Sequence, residues 1–220
     1  MINVLLNVYE FDAAWAHQAL KDFLSPDMQV AVLTMSHGDE IPDAAAWERL
    51  YRPSGEIYRI LTGTFSGYGI PETSVRFVSW YHDTPESAEE AVRNSDAIFM
   101  TGGLPDVLYD RLCQWGLDAL LRRYPGVVIG CSAGALVQMT EYHITPDADY
   151  DTYGYYPGLG LLEGFEPEVH YAASPVQQES IHRYLKERGK PVYAITNSGG
   201  LIVNAGKMIP MGEVTCISEG

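Results

Sequence analysis

Basic residues are scarce in this chain of 220 residues. Lysine and arginine total 14 against 29 aspartates and glutamates, a formal net charge of −15. A nucleic-acid-binding surface needs a basic face to displace counterions, so that class is excluded. Cysteine is nearly absent too. Cys113, Cys131 and Cys216 form neither a paired framework nor a metal-ligand spacing, which suits a reducing cytoplasm. No apolar run approaches the roughly 18 residues of a membrane span. The N-terminal stretch Met1–Val8 has no basic n-region and reads as a first strand, not as a secretion signal. Repeats, low-complexity segments and long Pro/Gly/Ser linkers are also missing, so the expectation is one domain over 1–220. Hydrophobic residues at 46% and charged residues at 20% are ordinary globular values.

What is present is an alternation. Strand-like apolar runs fall near 2–8, 29–36, 74–80, 96–101 and 127–131. Helical patterns fall near 12–24, 43–62, 85–94, 105–123 and 133–140. Short connections between alternating elements imply crossover units. The fold class expected is therefore α/β, a doubly wound, mainly parallel sheet with helices on both faces. Beyond 140 the pattern loosens. Residues 141–158, rich in Tyr, Asp, Pro and Gly, read as a long loop. A strand near 168–172 and a helix near 175–188 follow. Strand pieces at 191–196 and 200–210 close the chain, the last turning at Ala205-Gly206 like a hairpin.

Gly130-Cys131-Ser132-Ala133-Gly134 stands between the apolar run Val127-Val128-Ile129 and a helical pattern. In that context G-x-S-x-G signifies a nucleophile elbow. The serine sits on a tight, strained turn, and the chain two residues to either side packs so closely that only small residues fit. Glycine holds both places around Ser132. Around Cys131 they would be Ile129 and Ala133, so Cys131 reads as a buried apolar residue instead. A packing turn with a capping serine is the bland alternative.

An elbow serine needs a base, an orienting acid and oxyanion donors. Gly102-Gly103, after the strand Asp96–Met100, can bring a backbone N–H close to substrate, so the donors expected are the N–H groups of Gly103 and Ala133. Among six histidines, chain order and strand-end placement favour His170 as base over His143, with His182 on a charged, solvent-facing helix. For the acid, Asp147, Asp149, Asp151, Glu166 and Glu168 all remain open.

With these residues in hand, the chain resembles the peptidase E (aspartyl dipeptidase) and cyanophycinase type of serine peptidase. The carriers are Met100-Thr101-Gly102-Gly103, Gly130-Cys131-Ser132-Ala133-Gly134-Ala135, Gly158–Leu162 leading to Glu168-Val169-His170-Tyr171, and the closing Ile195-Thr196-Asn197-Ser198-Gly199-Gly200-Leu201-Ile202-Val203. The resemblance covers most of the chain. It implies a class I glutamine amidotransferase-like fold and peptide hydrolysis by a serine nucleophile without metal or cofactor. Carried over, Ser132 is the nucleophile, His170 the base, and Asp147, fifteen residues after the serine, the acid.

Three departures from that family's pattern stand out. Leu104-Pro105 follows the double glycine where a polar residue is usual. No arginine occupies Ser174–Ser180, where peptidase E holds an acidic substrate side chain, and Arg183 is the nearest. Asn197-Ser198 replaces the acidic pair of the cyanophycinase type. The expected partner is a small peptide, not strictly Asp-Xaa, with no nucleic acid or membrane, and a homodimer is left open. Tyr142, Tyr150, Tyr153, Tyr155 and Tyr156 are candidates for an aromatic wall. An esterase or amidase, or a non-catalytic ligand-binding protein, are the rival readings.

Overall fold

The computed structural model describes residues 1–219. Its centre is a parallel array of short, continuously apolar strands: β1 (Ile2–Leu6), β2 (Val30–Thr34), β3 (Val75–Ser79), β4 (Ala97–Met100) and β5 (Val127–Cys131). All residues of β2, β4 and β5 are buried, the pattern of strands covered on both faces. Alternation along the strands divides the core. Val4, Val32, Phe99 and Ile129 face one layer, with Phe11, Leu61 and Phe65. Leu33, Ile98, Met100 and Val128 face the other, with Leu108, Leu112 and Leu121.

The helices are α1 (Ala14–Leu20), α2 (Ala44–Tyr51), α3 (Glu56–Gly67), α4 (Pro85–Arg93), α5 (Pro105–Gln114), α6 (Leu117–Leu121), α7 (Ala133–Leu136) and α8 (Pro175–Arg188). Two expected helices are each two. The 43–62 pattern breaks at Arg52-Pro53, where proline cannot continue the backbone ladder, and restarts after Gly55. The 105–123 pattern breaks at Gly116, which is left-handed at φ 71°. The helix expected over 133–140 stops at Leu136.

The remaining strands are β6 (Glu141–Ile144), β7 (Gly154–Pro157), β8 (Glu166–Glu168), β9 (Val192–Asn204) and β10 (Lys207–Ile217). Sheet order is β10-β9-β1-β5-β4-β2-β3, with β8 beside β9. β9 runs antiparallel to β1 and β10, and the Ala205-Gly206 turn between them has positive φ at both residues (48° and 78°), as primed hairpin turns require. The region expected as a loop over 141–158 is a β6–β7 hairpin around a shorter loop, with Tyr142 opposite Tyr156 and His143 opposite Tyr155. Strands of four residues are too short for alternation to declare them. Their hold is tertiary: Tyr142 and Ile144 pack into a cluster with Leu5, Leu136 and Phe165.

Candidate active site

β4 and β5 are neighbours, with Met100 opposite Gly130, so the turns at their carboxyl ends lie side by side. Open α/β sheets bind ligands at such strand ends. Ser132 follows β5 with φ 51° and ψ −108°, a backbone conformation that costs a non-glycine residue about 1–3 kcal/mol. The glycine frame is a steric requirement. A Cβ at Gly130 would lie 1.9 Å from the Gly134 carbonyl oxygen, and one at Gly134 would lie 2.3 Å from that of Met100. The Ser132 N–H donates to Leu6 O at 2.8 Å, tying the turn to β1. Cys131 points into the apolar layer, 3% exposed, and burial pushes its thiol far above the ordinary range. A thiol held protonated is no nucleophile.

His170 lies on the turn after β8, itself at φ 50°. That turn is clamped from two sides. Tyr171 N–H donates to Ile195 O in β9 at 2.8 Å, and the Gln177 side-chain amide of α8 donates to His170 O at 3.1 Å. The imidazole reaches Ser132: Nε2 is 3.0 Å from Oγ. Its other nitrogen, Nδ1, is 2.8 Å from Oδ1 of Asn197. An amide oxygen only accepts, so Nδ1 carries the proton and Nε2 turns a lone pair toward the serine hydroxyl.

The carboxylate expected at this place, Asp147, is elsewhere. It lies on the rim of the same cavity, but its Oδ1 accepts the N–H groups of Asp149 and Tyr150 at 2.8 and 3.0 Å and shapes the loop. Asn197 holds the position beside His170. It sits on β9, which Asn7 anchors through bonds from its side chain to Ile195 O and Thr196 O at 2.6 and 2.9 Å. The sequence did carry a signal, a polar Thr196-Asn197-Ser198 interruption in an otherwise apolar strand.

On the other side of Ser132 stand the expected oxyanion donors. Gly103, at φ 137°, packs so tightly on Ser36 that a Cβ would lie 2.4 Å from its carbonyl oxygen. Ser36 holds this turn, donating to Gly102 O at 2.5 Å, while Ser36 O accepts from Leu104 N–H at 2.6 Å. Among the described residues, neither the Gly103 nor the Ala133 N–H has an internal acceptor. Both border a cavity of about 500 Å³ with Ser132 and His170. α7 has only four residues, so these individual amides, rather than a long helix dipole, are the donors on offer.

The other expected residues distribute as follows. Glu166 and Glu168 bond to the buried His143 rather than to His170, with Nδ1 2.9 Å from Glu166 Oε1 and Nε2 2.9 Å from Glu168 Oε2. His182 is exposed. Of the five tyrosines only Tyr150 borders the cavity, its hydroxyl bonded to Asp106 at 2.5 Å. Tyr142 is buried, and Tyr153 stacks on His143. Arg183 pairs with Glu187 at 2.8 Å and lies over the Tyr153 ring, outside the cavity.

A serine on an elbow at a strand end, with an imidazole in reach, belongs to the serine hydrolases. The family model of peptidase family S51 matches residues 55–210, and the chain belongs to that family, a serine-type peptidase. The fold is shared with solved structures. One, from Listeria monocytogenes EGD-e and described as a candidate peptidase E protein, is 18% identical, with a TM-score of 0.69 over 96% of this chain and 98% of that one. A peptidase from an acI-B1 actinobacterium is 16% identical, with a TM-score of 0.66 over 100% of this chain and 94% of that one. No curated protein matches the chain.

Proposed function

We propose that the protein hydrolyses short peptides through Ser132, His170 and Asn197. The observation that carries this reading is the 3.0 Å approach of His170 Nε2 to Ser132 Oγ on a strained elbow. His170 takes the serine proton as Oγ attacks the carbonyl carbon, and later delivers it to the leaving amine. The Gly103 and Ala133 N–H groups meet the oxyanion as it forms. Asn197 fixes the imidazole tautomer, as a neutral residue in the place where related triads have a carboxylate. The carboxyl side chains bordering the cavity, with no arginine lining it among the described residues, argue against a strict Asp-Xaa preference.

The test is a pair of variants on a dipeptide panel. Ser132→Ala abolishes turnover, a loss that reaches about 10⁶ in the subtilisin case, while Cys131→Ala keeps most of it. The converse result removes the serine mechanism. Peptide binding without turnover in the wild type favours a non-catalytic role.

A further inference from the structure

The cavity beside Ser132 is acidic. Asp147, Asp149 and Glu168 border it, and among the described residues no lysine or arginine does. The two aspartates are exposed on the loop rim. Glu168 is built in differently. Its side chain is 5% exposed, yet it forms cavity wall two residues before His170. Oε2 is 2.9 Å from His143 Nε2, and both carboxylate oxygens are 3.0 Å from Thr145 Oγ1.

The charge on this cluster does not balance. His143 stands between two carboxylates, and burial, which would lower its pKa, is outweighed by their hydrogen bonds and charges, which raise it to about 9. One carboxylate suffices to neutralise that imidazolium. Glu166, sealed inside, is placed to do so: burial raises its pKa, and the His143 ring Nδ1–H and backbone N–H, which it accepts at 2.9 and 2.8 Å, work against that rise. A neutral amide at 168 would satisfy the remaining Nε2–H as well. Glu168 is therefore a second carboxylate, on the cavity wall, beyond the one the imidazolium requires, and neither glutamate forms an ion pair with lysine or arginine among the described residues. A buried charge without its full complement is unfavourable until a counter-charge arrives.

We propose that Glu168 is the counter-charge for a cationic group, ammonium or guanidinium, on the substrate residue whose carbonyl Ser132 attacks. The proposal rests on the peptidase reading above and names its substrate class. The cation has two sources, the free N-terminus of a short peptide or a basic side chain. His143 and Thr145 hold the carboxylate in place, so a substrate meets it without first ordering it.

The experiment compares kcat/KM for Xaa-Leu dipeptides with Xaa lysine, norleucine or aspartate, each with a free or acetylated N-terminus. Lysine and norleucine share a stem and differ in charge. A side-chain cation predicts lysine over norleucine by about tenfold or more, equivalent to ~1.4 kcal/mol. An N-terminal cation predicts free over acetylated norleucine by a similar factor. Aspartate is the poorest in either case. Glu168→Gln reduces whichever preference exists to near unity. Wild-type enzyme that discriminates on neither comparison overturns the proposal, as does a preference that survives in Glu168→Gln. Should that variant misfold by circular dichroism, the wild-type comparison decides alone. Labelling of the wild type by a neutral fluorophosphonate separates the two layers. Labelled enzyme that ignores charge sinks only the Glu168 assignment, while unlabelled enzyme sinks the peptidase reading and this proposal with it.

Discussion

Replacing Asn197 separates the third catalytic position from the loop aspartates. Its amide oxygen accepts from His170 Nδ1 at 2.8 Å, and both residues are exposed. A neutral hydrogen bond of this kind is worth about 1 kcal/mol net, because water replaces part of it. Truncation also releases the other tautomer, in which Nε2 carries the proton and cannot accept one. Asn197→Ala is therefore expected to lower kcat by roughly 10- to 100-fold, scaling from about tenfold per 1.4 kcal/mol. Asn197→Asp adds a full charge beside the imidazolium that forms during attack. At ~4 Å and near-aqueous screening that is worth about 1 kcal/mol. The variant should run several-fold faster at neutral pH, with the acidic limb of its pH–rate profile moved to higher pH. Asp147→Ala, which only loosens a loop turn, should cost less than Asn197→Ala. The assay is steady-state hydrolysis across pH by all three variants. Full activity in Asn197→Ala together with a dead Asp147→Ala would refute the reasoning and return the acid to position 147.

Three further outcomes concern stability. Gly134→Ala forces a methyl to within 2.3 Å of Met100 O. The overpacking should cost about 3 kcal/mol, lowering Tm by roughly 6–12 °C for a chain of this size. Gly63→Ala, on α3 with open space around it, should leave Tm unchanged or raise it. His143 holds its proton more tightly folded, at about 9, than unfolded. Its contribution is thus complete below the ordinary histidine value of about 6.5 and is lost as pH rises through the folded value. Urea midpoints should fall across that window, and a flat profile would show that the imidazolium is not clamped between Glu166 and Glu168.

The parallel core and the elbow were legible in the sequence because each obeys a short-range rule. Continuous apolar runs such as Val127-Val128-Ile129 mark strands buried on both faces, and the glycines at 130 and 134 answer contacts made within a few residues. The placement of His170 beside Ser132 was legible from its strand-end position. The partner of its Nδ1 was not, because it is set by a contact 27 positions away, between the turn after β8 and the middle of β9. Counting from the serine placed it in a loop whose aspartate serves its own backbone. Glu166 and Glu168 also looked available to His170, since strand alternation puts 166, 168 and 170 on one face. The positive φ of His170 breaks that alternation and turns the imidazole to Ser132, leaving both carboxylates to His143. The β6–β7 hairpin was hidden because its four-residue strands depend on packing against Leu136 and Phe165 rather than on a pattern of their own.

The central claim is that Ser132 is an activated nucleophile. Its most direct test is fluorophosphonate labelling of the native protein, followed by mass spectrometry of the digested chain. The account predicts one adduct, on the peptide containing Ser132, formed readily in the wild type and greatly slowed in His170→Ala. An adduct on another residue, no adduct at all, or labelling of Ser132 that does not depend on His170 would contradict it.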